Sequence, residues 1–196
     1  MNHHSTKVVA VAVGALVIGF SAFAEEKPRQ INGKALGLGN ELIDIGAFEK
    51  ASRKAIAHRK ERRITESQFI EMATEANTIV LDTRSAAKFA LLHVKGAVHL
   101  NFSEITTDSL AKTIPTKDTR ILIYCNNNFD NAPVAFRSKS PGMALNIPTF
   151  ITLHAYGYEN IYELGPLLDV KKTRISLVGM KLVTNHYLIP KLKTKN

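Results

Sequence analysis

The stretch RILIYC, residues 120–125, determines how the rest of the chain is interpreted. An apolar and aromatic run, Ile121 to Tyr124, leads without a break into Cys125, the only cysteine of the chain. A short continuous run of this kind predicts a strand that is buried on both faces, as in parallel sheets. Ligands bind at the carboxyl ends of such strands, so the position of Cys125 indicates a functional residue.

Predicted strands and helices alternate on both sides of this strand. Thr65 is a predicted N-cap, with Gln68 as its capping-box partner. The other predicted strands are TIVLDTR (78–84), GAVHLNF (96–102) and NIYELG (160–165), and the predicted helices are 65–76, 85–93, 103–114 and 144–158. Such alternation predicts an α/β domain over residues 63–170, with a parallel sheet flanked by helices.

The N-terminal residues have the pattern of a secretory signal peptide over residues 1–24. A polar start with one lysine precedes the apolar run Val8 to Phe20, and the small residues Ala22 and Ala24 follow at the spacing of a cleavage site. An uncleaved anchor helix is the alternative. The first interpretation predicts a secreted, most simply periplasmic, protein that begins near Glu25.

Two basic segments flank the predicted domain. Residues 25–62 form an extension that contains a predicted basic helix over 47–63, and residues 171–196 form a basic tail with one further strand candidate, RISLVG (174–179). The helix could contact an acidic protein or an anionic membrane, or its thin apolar stripe could simply pack on the domain. Nucleic acid is not an expected partner of a secreted protein, although the chain has a net charge of +9.

Three separated blocks resemble the rhodanese-like domain family. They are IVLDTRSAAKFALLHVKGAVHLNF (79–102), RILIYC (120–125) and AYGYENIYELG (155–165). The chain looks closest to secreted bacterial members that have the loop YCNNNF (124–129). The resemblance implies a sheet of about five parallel strands flanked by helices, and a loop after Cys125 that holds an anion.

The resemblance also implies the chemistry of Cys125. In this family the catalytic cysteine attacks the outer sulfur of thiosulfate or a polysulfide and holds it as a persulfide. Backbone N–H groups around the sulfur would lower the thiol pKa, so we expect a value below the ordinary one. No cofactor is expected, and no histidine has metal-ligand spacing with the cysteine. The resemblance assigns supporting hydrogen bonds under the loop to Asp82, Arg84 and His93.

The residues after Cys125 depart from the family pattern. The anion-binding loop is predicted to contain Asn126, Asn127, Asn128, Phe129 and Asp130, with Arg137 as a weaker candidate. The asparagines could replace glycine at left-handed positions and donate hydrogen bonds, or they could only satisfy turn geometry.

A carboxylate in this loop opposes anion binding. If Asp130 faced the sulfur it would raise the thiol pKa, so we expect it instead to accept backbone N–H bonds in the segment that follows. That segment, residues 131–144, is an insertion relative to shorter family loops. Its Arg137 and Lys139 could either supply positive charge to the pocket or lie on the surface.

The sequence therefore predicts a sulfur carrier or a sulfurtransferase that acts on a small sulfur-containing anion and a thiol acceptor. A non-catalytic binding module with the same fold and a redox-sensing thiol protein are the alternatives. The asparagines favour the first hypothesis, and Asp130 opposes it.

Overall fold

The computed structural model describes residues 39–180, so the signal-peptide prediction and the end of the tail lie outside the described residues. The chain divides into the units Met1–Leu42 and Ile43–Asn196, and every helix and strand described below belongs to the second. None of the helices within residues 39–180 is long and apolar enough to cross a membrane.

The second unit is an α/β fold. Its α-helices are α1 (Ile45–Arg59), α2 (Glu66–Ala73), α3 (Ala86–Leu91), α4 (Thr107–Thr113) and α5 (Asn146–Ala155). Its strands are β1 (Arg63–Ile64), β2 (Thr78–Asp82), β3 (His93–Val94), β4 (Val98–His99), β5 (Arg120–Tyr124), β6 (Phe129–Asp130), β7 (Ile161–Leu164), β8 (Leu168–Asp169) and β9 (Leu177–Val178). Three short 3₁₀ helices cover Phe102–Glu104, Asn126–Asn128 and Pro141–Met143.

Five parallel strands form the main sheet, in the order β1-β7-β5-β2-β4. This confirms the predicted fold class. The strand β5 lies at the centre of the sheet, as its apolar sequence requires. The candidate RISLVG does not join the main sheet, because its β9 residues pair antiparallel with β3. The fifth parallel strand is instead β1, which pairs with β7.

The central strand presents a different core to each face of the sheet. Ile121 and Ile123 face a cluster that contains Phe150 of α5, and Leu122 and Tyr124 face a second cluster around Phe69 of α2. Successive side chains of a strand point to opposite faces, so one apolar run supplies both cores. Both faces of β5 are therefore covered, so this strand can contribute to a binding site only at its ends.

The helix predicted over 47–63 begins two residues earlier and ends four residues earlier than the sequence indicated. Asp44 is its N-cap and accepts a hydrogen bond from the backbone N–H of Ala47 at 2.8 Å. The helix ends at Arg59, because Arg62 and the strand β1 pair with β7 and so leave helical geometry. Only its C-terminal half packs on the domain, since Ala55 is buried while Phe48 remains 58% exposed.

The four helices predicted after residue 64 are all shorter than the sequence indicated. The predicted Thr65–Gln68 capping box is present and starts α2. A second capping box, Thr106–Ser109, starts α4 well after Ser103, where the sequence had placed the start. In α5, Pro148 lies in the first turn, where a backbone N–H has no helical partner to lose.

A buried ion pair connects the carboxyl ends of the two central strands. The guanidinium of Arg84 lies 2.6 Å from the Asp82 carboxylate, and both side chains are almost fully buried. The hydroxyl of Tyr124 donates to the same carboxylate. Arg84 also donates to the carbonyl oxygens of Leu92 at 2.8 Å and Ala135 at 3.2 Å. The pair thus holds β2, β5 and two surrounding segments together.

We expect Asp82→Asn to destabilise the domain by about 3–5 kcal/mol, because it leaves the charge of Arg84 buried without a counter-ion. Urea denaturation followed by circular dichroism measures the change. The control is Asp118→Asn, which alters an exposed carboxylate and should change the free energy of unfolding by about 0.5 kcal/mol or less. Equal losses in the two variants would contradict the structural role of the ion pair.

Candidate functional site

Cys125 lies directly after β5, at the carboxyl end of the central strand of the sheet. It is 1% exposed and contributes to the wall of a cavity of about 200 Å³. The other residues that line this cavity are Arg59, Arg63, Asn127, Asn128, Pro141, Ala144, Asn146, Ile147, Glu163 and Gly165. Four separate parts of the chain therefore meet around the thiol.

The three asparagines after Cys125 form a 3₁₀ turn and not a left-handed loop. Among the described residues other than glycine, only Asn77 and Asn131 have positive φ, at 56° and 63°. Of the two alternatives for residues 126–128, replacement of glycine at left-handed positions is therefore wrong. The side-chain amides of Asn127 and Asn128 instead form hydrogen bonds between the loop and neighbouring segments.

The amide of Asn128 fixes the base of the loop. Its oxygen accepts from the backbone N–H of Cys125 at 2.9 Å, and its nitrogen donates to the carbonyl of Leu164 at 2.7 Å. Asn146 of α5 donates to the same Asn128 oxygen at 3.0 Å. The loop is thus connected to the end of β7 and to the start of α5.

Backbone N–H groups surround the sulfur, but burial dominates its ionisation. Burial raises the pKa of the Cys125 thiol above its ordinary value, and the nearby Glu163 carboxylate raises it further. Hydrogen bonds from the backbone N–H groups of Asn127, Asn146 and Leu145 lower the pKa without compensating for the burial. The expected N–H groups lie near the sulfur, but the pKa is shifted in the direction opposite to the expected one because the thiol is buried.

A buried carboxylate shares the cavity with the thiol. Glu163 is 4% exposed, and its two oxygens accept from the Nε and Nη2 atoms of Arg59 at 2.5 and 2.6 Å. The Nε atom of Arg63 lies 3.8 Å from the same carboxylate. Two arginines from α1 and β1 therefore pair with Glu163 and line the same cavity as Cys125.

Two residues assigned to the anion loop lie elsewhere. Phe129 is fully buried in the second core, where its ring packs edge-on against Tyr124 and lies 4.6 Å from the ring of Phe136. Asp130 is exposed, and it accepts the backbone N–H of Asn131 at 2.7 Å. Neither residue lines the cavity of Cys125, so neither acts on the sulfur directly. Asp130 therefore accepts a backbone N–H in the segment that follows, as expected, and does not face the sulfur.

The insertion folds back onto the cysteine loop. The side chain of Asn127 donates to the carbonyl of Lys139 at 2.7 Å and accepts the backbone N–H of Lys139 at 3.0 Å. Arg137 does not reach the cavity of Cys125. It lines a neighbouring cleft together with Asn126, so the structure separates both residues from the thiol cavity to which the sequence had assigned them.

The remaining predicted positions support the structure around the loop. The Nδ1–H of His93 donates to the Phe89 carbonyl at 2.7 Å, and its ring stacks on the ring of Phe89. Asp82 and Arg84 form the ion pair described above. Within residues 39–180, no three histidine, cysteine or acidic side chains come together as metal ligands.

Sequence reasoning missed the residues that set the electrostatics of the cavity. Glu163 gave one signal, because a charged residue inside the apolar strand β7 is unusual for a buried strand. Arg59 and Arg63 gave no comparable signal in the sequence, since nothing distinguished them from the other cations of the predicted basic helix. Their partner is about 100 residues away in sequence.

Comparison with known proteins identifies the family. The family model named Rhodanese-like domain matches residues 65–164, which is just over half of the chain. No curated protein sequence matches the chain. The narrower assignment to members with the YCNNNF loop stays a prediction.

Solved structures with similar folds come from several bacteria. The BH2092 protein from Bacillus halodurans is 17% identical, with 67% of this chain and 85% of that chain covered and a TM-score of 0.42. Protein HP1203 from Helicobacter pylori is 21% identical, with 62% and 92% covered and a TM-score of 0.41. A rhodanese with anions from E. coli is 22% identical, with 53% and 99% covered and a TM-score of 0.35.

We expect alkylation of Cys125 by iodoacetamide to have a pH midpoint above the ordinary cysteine value of about 8.5. In Glu163→Gln the midpoint should fall and the rate at neutral pH should rise several-fold, because a negative charge beside the thiolate is removed. Mass spectrometry of the folded protein over a pH series measures both quantities.

The control is Asp130→Asn, which removes an exposed carboxylate outside the cavity. It should leave the alkylation midpoint unchanged and cost about 1 kcal/mol of stability at most, through its bond to the Asn131 N–H. A wild-type midpoint below about 8.5, or the same shift in both variants, would contradict this account of the cavity.

Proposed function

The chain belongs to the rhodanese-like domain family, and we propose that it carries or transfers sulfur through a persulfide on Cys125. One observation carries the proposal. The cysteine directly follows the central strand, and backbone N–H groups of two separate segments, at Asn127 and at Leu145–Asn146, lower the pKa of its thiol. These groups favour an anionic sulfur atom in a buried site.

The proposed chemistry needs no cofactor. The Cys125 thiolate attacks the outer sulfur of thiosulfate or a polysulfide, a new S–S bond forms, and the bond inside the donor breaks. Sulfite, or the shortened polysulfide, leaves with the electron pair. A thiol acceptor then attacks the outer sulfur of the persulfide, and Cys125 leaves as the thiolate. No external oxidant or reductant is consumed in either transfer.

The positive side chains of the cavity suit the first step, in which an anionic sulfur donor enters. Arg59 and Arg63 line it and present guanidinium groups to an anionic donor, although both are engaged with Glu163 in the resting state. An anion that enters competes with the Glu163 carboxylate for these groups. Burial raises the pKa of the Cys125 thiol, so the thiolate must form before the attack on the donor.

A non-catalytic binding module is the second candidate, and the burial of the thiol favours it. Cys125 is 1% exposed and its pKa is raised, as expected of an inert structural cysteine. The same burial opposes a redox-sensing role, because sensor thiols are accessible and have low pKa values.

We expect the intact mass of the protein to rise by one sulfur atom after incubation with thiosulfate or polysulfide. Dithiothreitol should reverse the increase, and Cys125→Ser should not show it. An increase of one oxygen atom after peroxide would indicate the redox-sensing alternative instead. Absence of any sulfur adduct on correctly folded protein would favour the non-catalytic module.

The proposed location is outside the cytoplasm, most simply the periplasm, on the strength of the pattern in residues 1–24. The intact mass of protein recovered from that compartment tests this, and a chain that still begins at Met1 contradicts it.

We further propose α1 as a contact surface for an acidic protein or an anionic membrane. Its first turns expose Ile45 and Phe48 beside Lys50 and Arg53. Sedimentation with phosphatidylserine vesicles tests the membrane form, and Phe48→Ser should weaken an interaction that uses this face. If Phe48→Ser bound the vesicles as well as the wild-type protein does, the proposed contact surface on α1 would be wrong.

A further inference from the structure

A cleft larger than the cysteine cavity lies on the other side of the cysteine loop. Its volume is about 460 Å³, within the range of small-molecule sites. Asn126 and Leu145 line this cleft, whereas Asn127 and Asn146, the next residue in each segment, line the cavity of Cys125. The loop and the start of α5 therefore separate two distinct spaces.

The cleft is basic. Lys88, Arg137 and Lys139 line it, and among the described residues no aspartate or glutamate does. Arg84 is also part of the wall, but its charge is neutralised by Asp82. Within residues 39–180 none of the other three cations takes part in an ion pair. Their charges are available to a ligand.

Hydroxyl groups lie among these cations. Ser85, Ser103 and Ser138 all line the cleft. Ser85 occupies the N-cap position of α3, yet its side chain makes no capping hydrogen bond. Arginine, lysine and serine together match a tetrahedral oxyanion, because the guanidinium fork and the hydroxyls donate to several oxygens at once.

The backbone that carries Arg137 and Lys139 is held in place before any ligand binds. The two hydrogen bonds between Asn127 and the backbone of Lys139 fix one end of this basic segment. At the other end Phe136 is 2% exposed and packs under the Arg84 guanidinium at 4.3 Å. Lys88 donates to the carbonyl of Val134. Binding would therefore order the exposed side chains but not their backbone, which favours affinity.

We propose that this cleft binds a small phosphorylated organic molecule that carries at least two negative charges. The phosphate contacts Arg137, Lys139 and the neighbouring serines, while Phe102 and Leu145 supply an apolar wall for the rest of the ligand. The site is separate from the thiol cavity. The proposal does not depend on sulfur transfer, since no atom of Cys125 takes part.

Calorimetric titration of the wild-type protein with inorganic pyrophosphate, at constant ionic strength, tests the proposal. We expect saturable binding that weakens as sodium chloride is raised. The double variant Arg137→Gln/Lys139→Gln should weaken binding about tenfold or more, because two charge-assisted contacts are lost. Both side chains are exposed and the Lys139 backbone bonds remain, so the fold should be retained.

The matched control is Lys171→Gln/Lys172→Gln, which removes the same charge from an exposed segment outside the cleft. It should leave the dissociation constant within about twofold of the wild-type value. Cys125→Ser and Arg63→Gln should also retain binding, since these residues line the other cavity. Retention in Cys125→Ser keeps this result independent of the persulfide experiment.

Four results would overturn the proposal. They are no binding of pyrophosphate to wild-type protein, equal losses in the two double variants, loss of binding in Arg63→Gln with retention in Arg137→Gln/Lys139→Gln, and tighter binding of citrate than of pyrophosphate. The third result would place the anion in the thiol cavity, and the fourth would assign a carboxylate ligand to the cleft.

Discussion

The buried pair of Asp82 and Arg84 is the interaction on which the functional end of the sheet depends. A buried guanidinium must have its charge and its N–H groups satisfied, and Arg84 finds its partners in three different segments. Tyr124 donates its hydroxyl to the Asp82 carboxylate and accepts the backbone N–H of Val94 at 3.1 Å. Since Cys125 follows Tyr124, its position is fixed by the same network.

Two opposing effects act on the thiol that this network positions. Burial and the Glu163 carboxylate favour the neutral thiol, while the backbone N–H groups favour the thiolate. The net effect is a raised thiol pKa. Arg59 at the end of α1 and Arg63 in β1 both pair with Glu163, so they link this carboxylate to the N-terminal helix and the strand that follows it.

The insertion gives the chain a feature that its loop sequence alone does not reveal. Residues 131–144 pack a phenylalanine under Arg84, bond to the cysteine loop through Asn127, and bring Pro141 and Ala144 to the wall of the thiol cavity. Their basic residues face a different space. The insertion therefore contributes to the wall of the thiol cavity and also to the wall of the basic cleft.

The sequence by itself determined the elements with strong local signals. The apolar run of β5 required a central buried strand, the Thr65–Gln68 pair started α2, and the three family blocks identified the fold. Tertiary structure decided the rest. The strand at Arg63, the pairing of Arg59 with Glu163 across 104 residues, and the raised pKa of Cys125 all depend on contacts between distant segments. Desolvation is a property of the surrounding packing, so no pattern within the loop could specify it.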